Sequence, residues 1–282
     1  MIKDIFRDLS SNVRIPNESL KLIYKHKKEI TACIDEYFIM NQAVISSQYI
    51  GSFGRNTAIY PENIRILTVI PEEMYWQLSL GIPKILEKIK TALMKKYSSC
   101  DYSDNGNGLN ININGDISFE IVPGFVYDNG QYIYLCNGEW RKLNLKAERE
   151  NFSMVNHNVN NNLVELCRML KLWKNFLNID ISNILLDTFA YHFFCYQEKR
   201  YSFDTFDEMF VDFFDYLEHH CIREYVISLD GETVLQKKID LSDVTFLSAT
   251  IARTALSVAE CGMVEEAIKD WKRIFGNSMF SS

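Results

Sequence analysis

Apolar residues recur every three to four positions at the start of the chain: Ile2, Ile5, Phe6 and Leu9, then, beyond Pro16, Leu20, Ile23, Ile30, Ile34 and Tyr37. This spacing predicts a short helix over 1–15 and a long amphipathic one over 17–38, with the KHKKE run on its solvated face. The AVISSQYI segment at 43–50 reads as a short strand or helix end. The apolar run from Ile64 to Ile70, stopped by Pro71, predicts a buried strand. A helix is expected over 72–96, interrupted by Gly81 and Pro83, with Ile85, Leu86, Ile89, Leu93 and Met94 at helical spacing.

The period then changes to two. Asn-Gly pairs at 105–106, 107–108 and 114–115 suit the positive φ of tight turns. Ile111 and Ile113 alternate with asparagines, and Ile117, Phe119 and Ile121 alternate with Ser118 and Glu120, so two antiparallel strands are expected. A second pair is expected around Asn129-Gly130, using Val126, Tyr127, Tyr132, Ile133 and Tyr134. From 150 onward the period is helical. Leu163, Leu166, Leu170 and Trp173 mark one helix, another starts near Ser182, and Phe206, Phe210, Phe213 and Leu217 share one face of a third. Two more close at Gly262 and Gly276.

A chain of 282 residues with 47% hydrophobic content can build one large domain or two lobes. Its net charge of −7 argues against a dedicated binder of long nucleic acid, which needs a basic surface, and leaves room for a local basic pocket. The seven cysteines are odd in number and contain no C-x-x-C pair, as in a reduced, cytoplasmic protein without a zinc site. No apolar run approaches a membrane span of about 18 residues, so no membrane association is expected. His26 lies in a charged helical face and is not expected to be functional, and His219 and His220 are adjacent rather than i, i+3 or i+4, so they do not suggest a metal site.

The stretch GSFGRNTAIYPENIRILTVIP, residues 51–71, carries the candidate chemistry. A Gly51-Ser52 turn opening a helix lets backbone N–H groups and a hydroxyl approach a phosphate. The stretch resembles the signature of the polymerase-β-like nucleotidyltransferases, and GSFGRNTAI resembles the bacterial cGAS/DncV-like nucleotidyltransferases, or CD-NTases. In that family an Asp-x-Asp on the following strand holds two Mg²⁺ ions, since residues i and i+2 share a face. The matching positions here are Asn63 and Arg65, so both carboxylates are absent. By the same resemblance the third metal carboxylate falls on SFEIVPGF, where Glu120 fills the place. The alternation agrees: with Phe119 and Ile121 facing a core, Glu120 faces the other way. In the second lobe the resemblance places Lys171 and Ser182 on the triphosphate, and the terminal EEAIKDWKRIFG also fits the family.

The resemblance implies an α+β fold: a polymerase-β-like core with a mixed sheet and helices over 41–150, a C-terminal helical lobe over 151–282, N-terminal helices over 1–40 bridging the two, and a nucleotide cleft between the lobes. It implies joining of nucleoside triphosphates into linear or cyclic oligonucleotide messengers, with Mg²⁺ as cofactor if the chain is active, in bacterial anti-phage defence. The loss of two acids favours a degenerate member that binds a nucleoside triphosphate, an oligonucleotide messenger or a defence-system protein partner without turnover. An active synthase with an unusual metal site is one alternative, and a protein-docking subunit without a nucleotide pocket is another. In the degenerate reading Arg65 needs an anion, either Glu120 across the sheet or a triphosphate; the unliganded protein is expected to use Glu120.

Overall fold

The computed structural model describes residues 2–38, 45–61, 63–71, 81–127, 130–136 and 138–277. The chain divides into two compact units, a sheet unit of residues 15–146 and a helical unit of residues 1–14 and 147–282.

In the sheet unit α2 (Asn17–Phe38) leads into β1 (Ser46–Tyr49), a single turn of helix α3 (Gly51–Gly54) and β2 (Asn63–Val69). Helix α4 (Ile82–Met94) follows, then β3 (Asp101–Asp104), β4 (Leu109–Asn112), β5 (Ser118–Val126), β6 (Tyr132–Cys136) and β7 (Glu139–Leu143). The strands run β1-β2-β5-β4-β3, and the far half of β5 pairs with β6, which pairs with β7. Among the described strands, only β2 and β5 are parallel, with Asn63 beside Ser118 and Arg65 beside Glu120, so the sheet is mixed as expected. The 113–117 turn and the β5–β6 pair also match the alternation, although Asn129 lies outside the described residues, as do 43–44 and the 72–80 part of the helix expected over 72–96. The described part of that helix starts at Ile82 with Gly81 as its N-cap, φ +71, and Pro83 in its first turn.

Strand alternation sorts the two faces of the sheet. Ile64, Ile66, Phe119 and Ile121 point into one core with Ile23, Ile30 and Ile34 of α2 and Ile85, Ile89 and Leu93 of α4. Leu67, Val69 and Val122 point the other way and pack with Ile50 and Leu145. Arg65 and Glu120 belong by parity to this second face.

The helical unit contains α1 (Ile2–Asn12), α5 (Leu145–Asn158), α6 (Asn162–Phe176), α7 (Asn183–Tyr196), α8 (Phe206–His220), a hairpin of β8 (Tyr225–Ile227) and β9 (Val234–Gln236), α9 (Ser242–Glu260) and α10 (Val264–Phe275). Phe6 of α1 sits among Phe206, Phe210, Trp271 and Phe275 at ring separations of 5.1–6.3 Å. These large apolar areas fix α1 to this unit, while α2 belongs to the sheet unit. Helix α6 is buried continuously from Asn162 to Trp173, the pattern of a central helix rather than an amphipathic surface one. Among the described residues, no helix is long and apolar enough to cross a membrane.

Candidate functional site

The site grows from the β1–α3–β2 connection. Gly51 adopts φ +65, a left-handed conformation that glycine enters at little cost, and this swings the chain from the β1 edge into α3. Gly54 has a different reason: a Cβ there would stand 2.7 Å from the Tyr49 carbonyl oxygen, so the turn closes against β1 only with hydrogen at that position. Ser52 is buried, and its carbonyl accepts from the Thr57 N–H at 2.8 Å, which ties the loop beyond the turn back onto it. The turn adjoins β2 directly. The Ile50 N–H donates to the Arg65 carbonyl at 3.0 Å, and a Cβ on Gly51 would meet Arg65 Cδ at 3.7 Å.

The three positions matched to metal carboxylates lie together on adjacent strands. Arg65 and Glu120 are direct partners across β2 and β5, and Arg65 Nε donates to Glu120 Oε2 at 2.5 Å. The glutamate side chain is 11% exposed and the arginine 35%, so the carboxylate is the more desolvated partner. Glu120 Oε1 accepts from Asn105 Nδ2 at 3.0 Å. Asn105 is itself set by its Asn-Gly turn, since its Oδ1 accepts from the Asn107 and Gly108 N–H groups at 3.0 and 2.8 Å, leaving the NH₂ to face Glu120. Gly108 lets this turn lie close, because a Cβ there would come within 3.2 Å of Glu120 Cγ. Two residues along each strand, Asn63 donates to Asn110 Oδ1 at 3.1 Å and accepts from the Ser118 hydroxyl at 3.0 Å.

This donor set does not fit two magnesium ions. A two-metal centre needs several carboxylate oxygens facing the cations. Here one carboxylate remains, both of its oxygens accept hydrogen bonds, the Asn63 carbonyl oxygen accepts another, and a guanidinium occupies the remaining position. Among the described residues, no group of three His, Cys, Asp or Glu side chains could hold a metal ion.

The helical-unit candidates fare differently from one another. Ser182 is an exposed N-cap of α7 whose hydroxyl accepts from the Leu185 N–H at 3.4 Å. The Lys171 ammonium, expected at a phosphate, donates to Asp187 at 2.8 Å, with side-chain exposures of 2% and 0%. The helical period alone allowed a solvated or ligand-facing lysine, but α6 is enclosed on all sides, and a charge there requires a buried partner. Lys174, three residues on, is half-buried and donates to Asn183 Oδ1 at 2.9 Å. Sequence reasoning did not single out Asn105, Asn110 or Ser118. Their signals are parity and turn chemistry: Ser118 precedes Glu120 by two on one strand, Asn110 stands opposite Glu120, and Asn105 opens the turn beside it.

Comparison with known proteins identifies the family and the fold. The family model described as "Second Messenger Oligonucleotide or Dinucleotide Synthetase domain" matches residues 1–156. The chain belongs to that family, and its fold is that of the cGAS/DncV-like nucleotidyltransferases. A Bacillus cereus (strain VD146) protein described as a "probable cyclic nucleotide synthase" is 22% identical over 213 residues, 71% of this chain and 63% of its own length. The Escherichia coli MS115-1 CdnC structure determined with ATP superposes with a TM-score of 0.81 at 12% identity, over 100% of this chain and 99% of that one. CdnC in its complex with HORMA-deltaN gives 0.80 at 13% identity, over 100% and 98%. Vibrio cholerae DncV, a cyclic AMP-GMP synthase solved with a linear intermediate, gives 0.77 at 14% identity, over 96% and 94%.

Proposed function

We propose that this chain is a CD-NTase-fold protein that binds a nucleoside triphosphate or an oligonucleotide messenger without performing metal-dependent nucleotidyl transfer, and that it serves bacterial anti-phage signalling in this role. The observation that carries the reading is the Arg65–Glu120 ion pair at the position matched to the metal site. Replacing two acids by an amide and a cation leaves too little negative charge to concentrate magnesium. At about 4 Å and an effective dielectric of about 20, a guanidinium repels each unit of cation charge by roughly 4 kcal/mol.

The same cation suits a phosphate. Arg65 lies beside the Gly51-Ser52 turn, and its partly exposed guanidinium has donors beyond the Nε used by Glu120, so an incoming phosphoryl group would meet positive charge where active relatives supply a metal. In the helical unit, Ser182, exposed at the start of α7, and Lys171 are the positions that the resemblance assigns to the triphosphate.

The test is incubation of the full chain with labelled ATP, GTP, CTP and UTP and either Mg²⁺ or Mn²⁺, beside the Asn63→Asp/Arg65→Asp variant, with equilibrium binding of each nucleotide measured in parallel. The reading expects nucleotide binding by the parent and no oligonucleotide product. Robust synthesis by the parent would establish an active synthase with an unusual site. Absence of binding to every triphosphate and to oligonucleotide products of the variant would leave the protein-docking role.

A further inference from the structure

The sheet unit carries a second, differently built concavity. A groove between α2 and the C-terminal end of α4 encloses about 520 Å³, within the range of about 300–1,000 Å³ typical of small-molecule sites. Lys25 and Lys28 line the α2 side, and Lys95 and Lys96 line the end of α4. Ala32 and Ala92 line it between them, and these small side chains leave the space open. Positions 25, 28, 29, 32 and 36 fall on one stripe of α2 because they are spaced by three and four.

This groove is separate from the Arg65–Glu120 site. Helices α2 and α4 pack on the face of the sheet that presents Ile64, Ile66, Phe119 and Ile121. Arg65 and Glu120 alternate with those residues and project from the opposite face.

Its charge departs from the rest of the molecule. The chain carries −7 overall, yet the groove gathers four lysines against Glu29 and Glu36. Lys96 is committed to Glu29 at 3.1 Å, and Glu29 also accepts from the Tyr97 hydroxyl at 3.0 Å. Lys95 is braced with its ammonium 5.4 Å from the centre of the Tyr37 ring. Among the described residues, Lys25 and Lys28 have no ion-pair partner. Like charges held around one concavity favour a bound anion. All four cations are lysines, compact point charges that suit a phosphate, and the groove has no arginine fork to match a planar carboxylate.

We propose that the α2–α4 groove binds a small oligophosphate, either a free phosphate chain or the phosphates of a nucleotide. Glu29 and Glu36 interrupt the lysines and oppose an extended nucleic-acid backbone, which needs a continuous basic track. The site is independent of the nucleotide reading for Arg65.

The experiment titrates the full chain with sodium tripolyphosphate and, separately, with ATP, both in EDTA, by calorimetry and by NMR of alanine methyl groups. Binding should shift the Ala32 and Ala92 methyl signals. Read at the Ala32 and Ala92 methyl groups, the Lys25→Gln/Lys28→Gln/Lys95→Gln variant should weaken tripolyphosphate by about tenfold or more. Tighter ATP than tripolyphosphate at these methyl groups would name a nucleotide as the source, and equal affinity would name the phosphate chain. Failure to bind at millimolar concentration, binding that leaves both methyl signals in place, or equal affinity in the lysine variant would overturn the proposal. Displacement of tripolyphosphate by duplex DNA at physiological salt would overturn it in favour of a nucleic-acid surface.

Discussion

Arg65 and Glu120 face each other across the parallel β2–β5 pair, with the guanidinium Nε 2.5 Å from the carboxylate Oε2. The Glu120 carboxylate is thus neutralised internally, by a side chain of the neighbouring strand. The carboxylate is held from both sides, by Arg65 and by the turn-oriented Asn105, so the polar face is satisfied without a cation.

Arg65→Asp is therefore expected to destabilise the chain and to make it respond to magnesium. The substitution places two carboxylates opposite each other and removes a charge-assisted hydrogen bond, a change of about 1–3 kcal/mol for a partly exposed pair. For a chain of this size the melting temperature should fall by roughly 2–4 °C per kcal/mol and recover in part with millimolar Mg²⁺. Thermal melts with and without the ion check it; an unchanged melting temperature and no metal response would show the pair to be energetically idle.

Lys171 and Asp187 form the more deeply buried pair, and removing one partner takes the nearest counterion from the other buried charge. Lys171→Met should cost about 3–5 kcal/mol, while Lys171→Met/Asp187→Leu should recover most of that loss. Urea unfolding of the two variants and the parent measures both. A Lys171→Met chain of parental stability that has lost nucleotide affinity would instead assign Lys171 to a phosphate.

His26 predicts an acid limb in the stability profile. Burial lowers its pKa from the ordinary 6.5, with nearby Lys25 and Lys96 acting in the same sense and Glu29 opposing them. Tyr97 donates its hydroxyl proton to Glu29, so the neutral imidazole donates through Nδ1 to the Tyr97 oxygen at 3.1 Å. Because the folded chain binds this proton less tightly than the unfolded chain, the contribution is complete above about pH 6.5 and is lost as pH falls through the lowered folded value. Urea unfolding between about pH 7.5 and 5.5 should show the decline, and His26→Gln should flatten it. A parental slope retained in His26→Gln would assign the limb to other groups.

Much of the site was legible in the chain because strand parity is a local rule. Ile64 and Ile66 on β2 and Phe119 and Ile121 on β5 must share a buried face, and that alone turns Arg65 and Glu120 to the other one. The Asn-Gly pairs likewise fixed where the chain reverses, since few other residues accept the positive φ found at Gly106 and Gly115. The register that sets Arg65 opposite Glu120, 55 residues away, depends on a long-range pairing that no local pattern encodes, and so does the approach of Asn105 to the same carboxylate. Lys171 marks the clearest limit. Its helical spacing is the same on a surface helix and a central one, and only the packing of the helical unit around α6 decided that its charge would be spent on Asp187. The KHKKE run shows the converse: the sequence determined a basic helical face, and the approach of α4, bringing Lys95 and Lys96 beside Lys25 and Lys28, made that face a groove.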